Sequence, residues 1–533
     1  MTSGSEAAIE RARQVLDGLA TSVDLREPLA GFLWGASRTH DRARLEALVA
    51  HVAGRTAGHI RSDARYRWEL SHRVGAPDPS YAPPARWAPW RAGDASAFEN
   101  DRYRLESAVL LPVVCVGYLE LFEAAARLEA SRSAGSAADE GVELVTHDDD
   151  PAARVDAAAS RDSRASRAQA LFDESLAVLR YDLARAVVGD DPFSDTHMLR
   201  VIARSPHVLA RLEPLAVALA STYAVEHPRP PVEGVRFPFV GKPLASATAM
   251  LASALLDLGL HLPLLADQVA WLAHARRDDG GWADAAETSS DVLTTTMVAS
   301  VLVRLDPAFD GAGVSRFLLD RQGDDGLWRA LGPDAPWITH EVLELLEALA
   351  LPFSARFRWP HVHASHRDRK TLLPSFGHFL ELCELFGSVG SLARTPVELA
   401  FVDLIGFRAF NNLHGQDLGD DILAAFGEAL SAIPGVRTIR DGGDEFLVVG
   451  APTRDDLQVE LEAFLDRWRA VFVQRYGDTT PVAPRVLVAL GSAGELRRTR
   501  ESLGRAITET KTLDVDPTRG FVMRARPTIP PSA

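Results

Sequence analysis

Cysteine is scarce in this sequence of 533 residues, which contains only Cys115 and Cys383. The two cysteines lie far apart and in different predicted domains, so a disulfide-stabilised scaffold is not expected. Such cysteine usage is typical of a protein that works in a reducing compartment. We therefore predict a cytoplasmic location.

Positive charge is also in short supply, because 57 lysines and arginines stand against 73 aspartates and glutamates, which gives a formal net charge of −16. No dense block of lysine or arginine is present, so the chain lacks a basic groove that could follow a phosphate backbone. We therefore expect no nucleic-acid polymer as a partner. Small anionic nucleotides remain compatible with this charge, because a bound metal ion can reverse the sign of the local field.

Long uninterrupted apolar runs are absent as well. The stretch 108–122 is too short to span a membrane and contains a proline and a glutamate, whereas the longer stretch 244–275 is interrupted by Asp257 and Asp267. The polar and acidic residues 1–13 do not resemble a secretory signal. We predict no membrane segment and interpret both stretches as buried helices.

Length and composition divide the chain into several predicted domains, about three by length alone. Helix-like spacing of alanine, leucine, arginine and glutamate predicts one helical domain over residues 1–130 and a second, built from helical repeats, over residues 166–355. Residues 131–165 between them are rich in Ala, Ser, Asp and Arg and are predicted to form a flexible linker. Residues 356–525 form the last predicted domain, and residues 526–533 are predicted to form a disordered tail.

Two clusters contain residue types that often bind metals, but we predict that neither is a metal site. The segment His147 to Asp150 holds three aspartates, but Pro151 follows at once in a low-complexity stretch, which favours a solvated linker. His361, His363 and His366 alternate near the start of the last domain. They lack cysteine or acidic ligands at the usual zinc spacing, so we predict an ordinary solvated connector.

The second helical domain contains an internal repeat. Residues 277–282 and 323–328 both read as an Asp/Gly turn followed by a tryptophan, at an offset of 46 residues, and an amphipathic helix follows each. This pattern is similar to the repeats of squalene/terpene cyclases and protein prenyltransferases, which implies an α/α toroid. The acid motif of the cyclising enzymes and a zinc-ligand set are both missing. A sensing or dimerising role is therefore favoured over catalysis in this region.

The strongest local signal is the heptad from Arg440 to Phe446, which lies between two apolar, β-branched runs and predicts a β-hairpin. Gly442 and Gly443 tolerate unusual backbone angles and let a bulky anion approach the main chain. Asp444 and Glu445 then place two repelling carboxylates on a tight turn. A divalent cation would compensate them, because Mg²⁺ takes oxygen ligands from carboxylates and substrate phosphates.

This heptad resembles the signature of GGDEF-type diguanylate cyclases, and four further segments resemble that family in the same order. The resemblance extends over roughly residues 366–525 and implies a palm-like α+β cyclase domain with a central antiparallel sheet. The supporting segments are 401–408 (first strand and metal aspartate), 411–420 (guanine recognition), 486–493 (late strand) and 506–511 (helix with a phosphate-binding lysine).

The resemblance implies a set of site residues. Asp403, the main-chain carbonyl of Leu404 and Asp444 would bind Mg²⁺ or Mn²⁺, and Glu445 would bind a second ion or help to deprotonate the attacking 3′-hydroxyl. Two alternatives come from local patterns, because Asp403 could form a strand-end turn and Asp420 could cap the following helix. The remaining implied substrate-binding residues are Asn411 and Asp420 on guanine, Arg408 and Lys511 on phosphate, and Phe407, Gly442 and Gly443.

Several positions depart from the family pattern. Ile405 stands where a second aspartate is usual, and Arg408, Asn412 and Gln416 replace the usual Lys, Asp and His. These changes put the turnover rate in question more than the reaction type. The window 433–436 lacks the family's Arg-x-x-Asp motif, so product inhibition through that motif is predicted to be absent.

The predicted function is that of a diguanylate cyclase, a nucleotidyltransferase that converts two GTP into cyclic di-GMP and two pyrophosphates. A homodimer is implied because two domains must face each other, and the helical region would control their approach; its own ligand, a small molecule or a protein, is left open. Three alternatives stay open: a degenerate GTP-binding regulatory module, a cyclase making another cyclic nucleotide, and a terpene-cyclase-like enzyme in the helical region.

Overall fold

The computed structural model describes residues 3–21, 176, 192–226, 235–237, 242–260, 262–286, 288–329, 336–477, 482–511 and 520–525. Most of the first predicted helical domain, the predicted linker with its three aspartates, Cys115 and the predicted tail lie outside these residues. The chain divides into two compact units. The first comprises residues 1–254, 274–298 and 312–347, and the second comprises residues 255–273, 299–311 and 348–533.

The regular structure of the described residues before 357 is helical, apart from a short antiparallel ribbon of β1 (Val235–Phe237) and β2 (Lys242–Leu244). None of the helices in the described ranges is long and apolar enough to cross a membrane. The helices are α1 (Ser3–Thr21), α2 (Pro192–Ala203), α3 (Pro206–Glu226), α4 (Ala245–Leu258), α5 (Leu262–His274), α6 (Val292–Leu305), α7 (Gly311–Leu319), α8 (Pro336–Ala350) and α9 (Phe353–Arg356).

In the first unit, the two Asp/Gly turns of the sequence repeat have the same local structure. Gly280 and Gly326 adopt φ values of 85° and 86°, a left-handed conformation that glycine reaches without steric cost. The Asp279 and Asp325 carboxylates each accept a hydrogen bond from the backbone N–H two residues later, at 3.0 and 3.2 Å. Each turn therefore uses its aspartate to satisfy a backbone donor and its glycine to reverse the chain.

The tryptophan after each turn is fully buried. The backbone N–H of Trp282 donates to the Thr295 hydroxyl at 3.0 Å, and that of Trp328 donates to the Thr339 hydroxyl at 2.9 Å. Both threonines belong to the helix that follows the turn, α6 or α8. The sequence repeat is therefore also a structural repeat, while a closed α/α ring stays a prediction.

The second unit contains the α+β domain that the sequence predicted. Its helices and strands follow one another as α10 (Phe376–Ser388), α11 (Gly390–Ala393), β3 (Pro396–Ile405), α12 (Phe407–His414), α13 (Gln416–Ser431), β4 (Val436–Gly442), β5 (Glu445–Gly450), α14 (Leu457–Tyr476), β6 (Ala483–Ser492), α15 (Leu496–Thr510) and β7 (Phe521–Arg524). Single 3₁₀ turns occur at Ala364–His366 and Ala493–Glu495.

The sheet is five-stranded, in the order β4-β5-β3-β6-β7. Three neighbouring pairs are antiparallel, as predicted, but β7 lies parallel to β6, so the sheet is mixed rather than antiparallel throughout. The reason is the connection: helix α15 carries the chain back along the sheet between β6 and β7, and such a crossover makes the two strands parallel.

The three central strands, β5, β3 and β6, are buried on both faces, which is why they are largely apolar. One face packs against α12, α13 and α14 in a core cluster that includes the aromatic residues Phe410, Phe426, Phe464, Trp468 and Phe472. On the other face, Phe401 of β3 approaches α15, where a Cβ at Gly504 would lie 3.5 Å from its ring. Asp403 is thus held at the end of a strand that is packed on both sides.

One prediction about the connector into this domain is wrong. The sequence suggested ordinary solvated histidines, but His363 is only 8% exposed. His366 is partly exposed and pairs with Glu381 of α10 at 2.8 Å between Nδ1 and Oε1. The alternation of histidines gave no sign of this burial, because it depends on packing against residues distant in sequence.

Candidate functional site

The site is organised by the β4–β5 hairpin, whose turn is formed by Gly442 to Glu445. The register of the hairpin shifts between Arg440 and Gly442, so the tip departs from regular pairing. Gly442 has φ 155° and Gly443 has φ 50°, and a Cβ on either would meet no atom within 4 Å. The backbone angles therefore favour glycine here, and the space beside the turn is open.

Three carboxylates meet where this hairpin adjoins β3. Asp403 and Glu445 are directly opposite each other in the β3–β5 pairing, and the Leu404 N–H donates to the Asp444 carbonyl at 3.2 Å. Burial and repulsion from Asp403 raise the pKa of Asp444. Burial and repulsion from Asp441, Asp403 and Asp444 raise the pKa of Glu445. The cluster therefore holds more negative charge than its surroundings neutralise.

Asp403 itself is only 5% exposed and is paired with two cations. Arg485 lies opposite it in the β3–β6 pairing and donates from Nη1 to Asp403 Oδ2 at 3.0 Å. Lys511 Nζ lies 3.4 Å from the other oxygen, Oδ1. The sequence reasoning missed Arg485, although a single arginine inside the apolar run 482–490 was a usable signal.

The donor set suits a hard divalent cation, since it consists of carboxylates near a main-chain carbonyl. In this part of the described chain, however, oxygen atoms from Asp403, Asp444 and Glu445 do not all lie within 4.8 Å of one another. A cation shared by all three would therefore need the partly exposed Asp444 and Glu445 side chains to change rotamer. Two-carboxylate ligation is compatible with Mg²⁺, which commonly keeps water and substrate oxygens in its remaining positions.

A cleft of about 790 Å³ opens beside the hairpin. Seven of the predicted site residues line it: Phe407, Arg408, Asn411, Asp420, Gly442, Gly443 and Asp444. The other four do not line it: Asp403, Leu404, Glu445 and Lys511. The other lining residues are Asp368, Lys370, Ser375, Phe376, Gly377, Gln416, Leu423, Arg440 and Asp441.

The cleft also carries the predicted base-reading residues, Asn411 and Asp420. The Oδ1 atom of Asn411 is buried without a hydrogen-bond partner, and a Cβ at Gly419 would lie 1.8 Å from it. Asp420 is paired with Lys370 at 2.8 Å. The helix-cap alternative for Asp420 is wrong, because α13 begins at Gln416 with Gly415 before it, so that Asp420 lies in the second turn.

Two arginines hold the hairpin in place. Arg440 stacks on the Phe446 ring at 4.5 Å, and its backbone N–H donates to the Pro374 carbonyl at 2.7 Å. Arg500 of α15 donates to the buried Asp441 carboxylate, with its Nε 3.3 Å from Oδ1. The sequence reasoning gave Asp441 no role of its own, because its partner lies 59 residues away.

The departures from the family pattern occupy different environments. Ile405 is partly buried at the end of β3, while Asn412 is exposed on α12. Gln416 lines the cleft. Ile433, in the window that lacks the inhibition motif, is 3% exposed and belongs to the core rather than to a surface ligand site.

The α+β domain is similar to known proteins. Residues 365–477 match the family model described as "Diguanylate cyclase, GGDEF domain". No curated protein matches the chain.

Three solved structures illustrate the likeness. Diguanylate cyclase SiaD of Pseudomonas aeruginosa, in complex with its activator SiaC, is 25% identical over 30% of this chain and 62% of its own, with a TM-score of 0.26. The GGDEF domain of DgcB from Caulobacter crescentus, in complex with c-di-GMP, is 21% identical over 31% of this chain and 98% of its own, with a TM-score of 0.25. The GGDEF domain of YfiN from Pseudomonas aeruginosa is 20% identical over 30% of this chain and 95% of its own, with a TM-score of 0.25. This chain therefore spans less than two thirds of the SiaD chain.

Proposed function

We propose, from the GGDEF domain that this chain carries at residues 365–477, that the protein is a diguanylate cyclase. The reaction joins two GTP molecules into cyclic di-GMP and releases two pyrophosphates. The observation that carries the proposal is the pairing of Asp403 with Glu445 across β3 and β5, which brings a buried aspartate to the acidic hairpin tip beside an open cleft.

Asn411 and Asp420 are proposed to bind guanine. Guanine presents N1–H and N2–H₂ donors on one edge, which a carboxylate can accept, whereas the corresponding position of adenine is an acceptor. The position of both residues in the lining of the cleft supports this role.

The acidic cluster is proposed to hold Mg²⁺ or Mn²⁺, with Asp403, Asp444, Glu445 and the Leu404 carbonyl as candidate ligands. When bound, the metal would supply stabilisation of the charge that develops on the phosphate oxygens. Glu445 is proposed to accept the proton of the 3′-hydroxyl, since it stands opposite Asp403 in the strand pairing next to the hairpin turn. The 3′-oxygen then bonds to the α-phosphorus of the second GTP as pyrophosphate leaves.

Phosphate charge is proposed to be balanced by Arg408, which lines the cleft, and by Lys511, which stands beside Asp403. Gly442 and Gly443 leave open space for a bulky anion next to the main chain, and Phe407 borders the same cleft. Each domain would hold one GTP, so two copies must face each other, and we propose a cytoplasmic homodimer whose approach is governed by the helical region.

A second function, a regulatory module that binds GTP without turnover, has an observation in its favour. Both Asp403 oxygens already contact cations, Arg485 and Lys511, and Ile405 supplies no further acid. A metal would then have to compete with two protein cations for the same carboxylate. This alternative differs from the cyclase in one measurable respect, which is product formation.

The test is to incubate the purified full chain with GTP or ATP and Mg²⁺ or Mn²⁺ and to identify products by mass spectrometry. We expect cyclic di-GMP from GTP and no product from ATP. Asp444→Asn should lower the rate by at least about 100-fold, while Asp466→Asn, which changes an exposed aspartate of α14, should leave it unchanged. GTP binding without product would favour the regulatory module, and undiminished turnover in the Asp444 variant would refute the metal assignment.

A further inference from the structure

Lys370 is the one cation among the residues of the cleft that contacts a predicted base-reading residue. Its Nζ donates to Asp420 Oδ1 at 2.8 Å, and both side chains line the cleft. Their side chains are 57% and 38% exposed, so a ligand in the cleft can reach both. Neither the sequence motifs nor the proposed reaction gives this lysine a role.

The position of Lys370 is fixed by a tight turn, residues 367–374. Arg367 and Pro374 form a bridge across its base, and the Asp368 carboxylate accepts from the backbone N–H groups of Lys370 and Thr371 at 3.2 and 2.9 Å. Leu372 has a left-handed φ of 59°, which a leucine adopts only when the surrounding structure imposes it. Lys370 therefore projects from a constrained loop rather than from a freely moving one.

The chemistry of the pair matches one face of guanine. An ammonium group offers three N–H donors and no acceptor, and a carboxylate offers acceptors only. Guanine has the O6 acceptor next to the N1–H and N2–H₂ donors. A lysine beside an aspartate matches this edge, because the lysine can donate to O6 while the aspartate accepts from N1–H and N2–H₂. Adenine carries an N6 amino donor in place of O6, which would face the ammonium with like polarity.

We propose that Lys370 is a specificity-determining residue that donates to guanine O6 while Asp420 accepts from N1–H and N2–H₂. This inference rests on the proposed use of GTP and adds a residue to the recognition of its base. The lysine would increase selectivity in two ways, by a charge-assisted hydrogen bond to guanine and by an unfavourable donor–donor contact with adenine.

The experiment uses the full chain and three 3′-deoxynucleoside triphosphates, which cannot react because they lack the attacking hydroxyl. Their bases are guanine, hypoxanthine, which keeps O6 but lacks the 2-amino group, and 2-aminopurine, which keeps the 2-amino group but lacks O6. Dissociation constants are measured by titration calorimetry for the wild type, Lys370→Met and Lys370→Arg. Arg369→Met is the matched control, because Arg369 is an exposed neighbour that does not line the cleft.

Lys370→Met should weaken binding of the guanine and hypoxanthine nucleotides by the same factor, about 10- to 100-fold for a charge-assisted hydrogen bond. Binding of the 2-aminopurine nucleotide should be unchanged. Lys370→Arg should retain most of the affinity, since arginine also donates to O6, and the control variant should behave as the wild type.

Three results would overturn the inference. An equal loss for all three nucleotides would mean that Lys370 attracts the triphosphate rather than O6. Tighter guanine binding in the Lys370→Met variant would mean that the lysine competes with the base for Asp420. No binding of the guanine nucleotide by the wild type would refute the proposed function itself, and the inference with it.

Discussion

Replacing Asp444 with asparagine should stabilise the metal-free protein, although it should abolish the proposed activity. Asp444 lies beside two other carboxylates, Asp403 and Glu445, and the pKa of its carboxyl is raised by burial and by repulsion from Asp403. The interaction between two partly exposed charges is worth about 0.2–1 kcal/mol, and for like charges it is destabilising. Lys511 and Arg440 attract Asp444 and offset part of this repulsion, so the expected gain is about 0.5–1 kcal/mol.

The pH dependence of this gain has a definite sign. A raised carboxyl pKa means that the folded state binds the proton more tightly than the unfolded chain does. Below the unfolded pKa of about 4 the carboxyl is protonated in both states, so it does not reduce the stability there. Stability is then lost as the pH rises through the raised pKa of the folded state. The Asp444→Asn variant escapes this loss, so its advantage should be present at pH 7 and should disappear near pH 4.

Hydrogen exchange measured by mass spectrometry is suited to this test, because it gives local unfolding free energies within the full chain. The informative peptides cover β3 (396–405) and the β4–β5 hairpin (436–450), and the repeat turns of the first unit serve as an internal control. Saturating Mg²⁺ should protect the wild type, by about 2.7 kcal/mol at 100 times the dissociation constant, and should protect the variant much less.

Two results would refute this reasoning. Slower exchange in the wild-type hairpin than in the variant, at neutral pH without metal, would mean that Asp444 is stabilising and that the acids do not repel one another. Equal protection of both proteins by Mg²⁺ would mean that Asp444 is not a metal ligand.

Two further predictions concern side chains around the same site. Arg485→Met should lower the local unfolding free energy of β3 and β6 by about 1.5–3 kcal/mol, because it removes a hydrogen bond to the buried Asp403 carboxylate, which keeps Lys511 as its remaining partner; adding Asp403→Leu should restore most of it in a double-mutant cycle, and an additive cycle would contradict the pairing. Gly419→Ala should force Asn411 out of place and weaken GTP binding, since the new Cβ would lie 1.8 Å from its Oδ1. Gly387→Ala is the matched helical control, with no atom within 4 Å of the added Cβ, and equal GTP affinity in both variants would argue against the role of Asn411.

Much of the α+β domain could be predicted from sequence because its signals are local. The hairpin followed from an Asp-Gly step between two β-branched runs. The strands observed at 396–405 and 483–492 were expected from the family resemblance, which implied a first strand within 401–408 and a late strand within 486–493. The parallel edge strand β7 was not predicted. Its residues, 521–524, are partly exposed and too few to give a pattern, and only the crossover through α15 determines their direction.

The site was predicted less completely than the fold, and the missing parts are long-range. Arg485 reaches Asp403 only because β6 pairs with β3, and Lys370 reaches Asp420 across 50 residues. A single sequence does not specify which strands are neighbours or their register, so it cannot assign such partners. By contrast, Asn411 and Asp420, which the family resemblance grouped together, lie on consecutive helices and both line the cleft.

The helical repeat shows the same division between local and distant information. The turn, its aspartate and its glycine were visible in the sequence, and both copies adopt the same structure. The threonines that accept from Trp282 and Trp328 were not identified, because the following helix had to be placed against the turn first. In the second copy the threonine follows the tryptophan by 11 positions in place of 13, which hides the correspondence in a direct alignment.

The charges of the site explain why a cation would bind at the hairpin tip rather than elsewhere in the cleft. Most acids there already have a basic partner among the described residues: Asp403 with Arg485 and Lys511, Asp441 with Arg500, and Asp420 with Lys370. Asp444 and Glu445 form no ion pair within 4.0 Å in the described part of the chain, and theirs are the two carboxyls of this group whose pKa values are raised. The uncompensated negative charge is therefore confined to the two acids of the turn, and an added cation gains most free energy beside them.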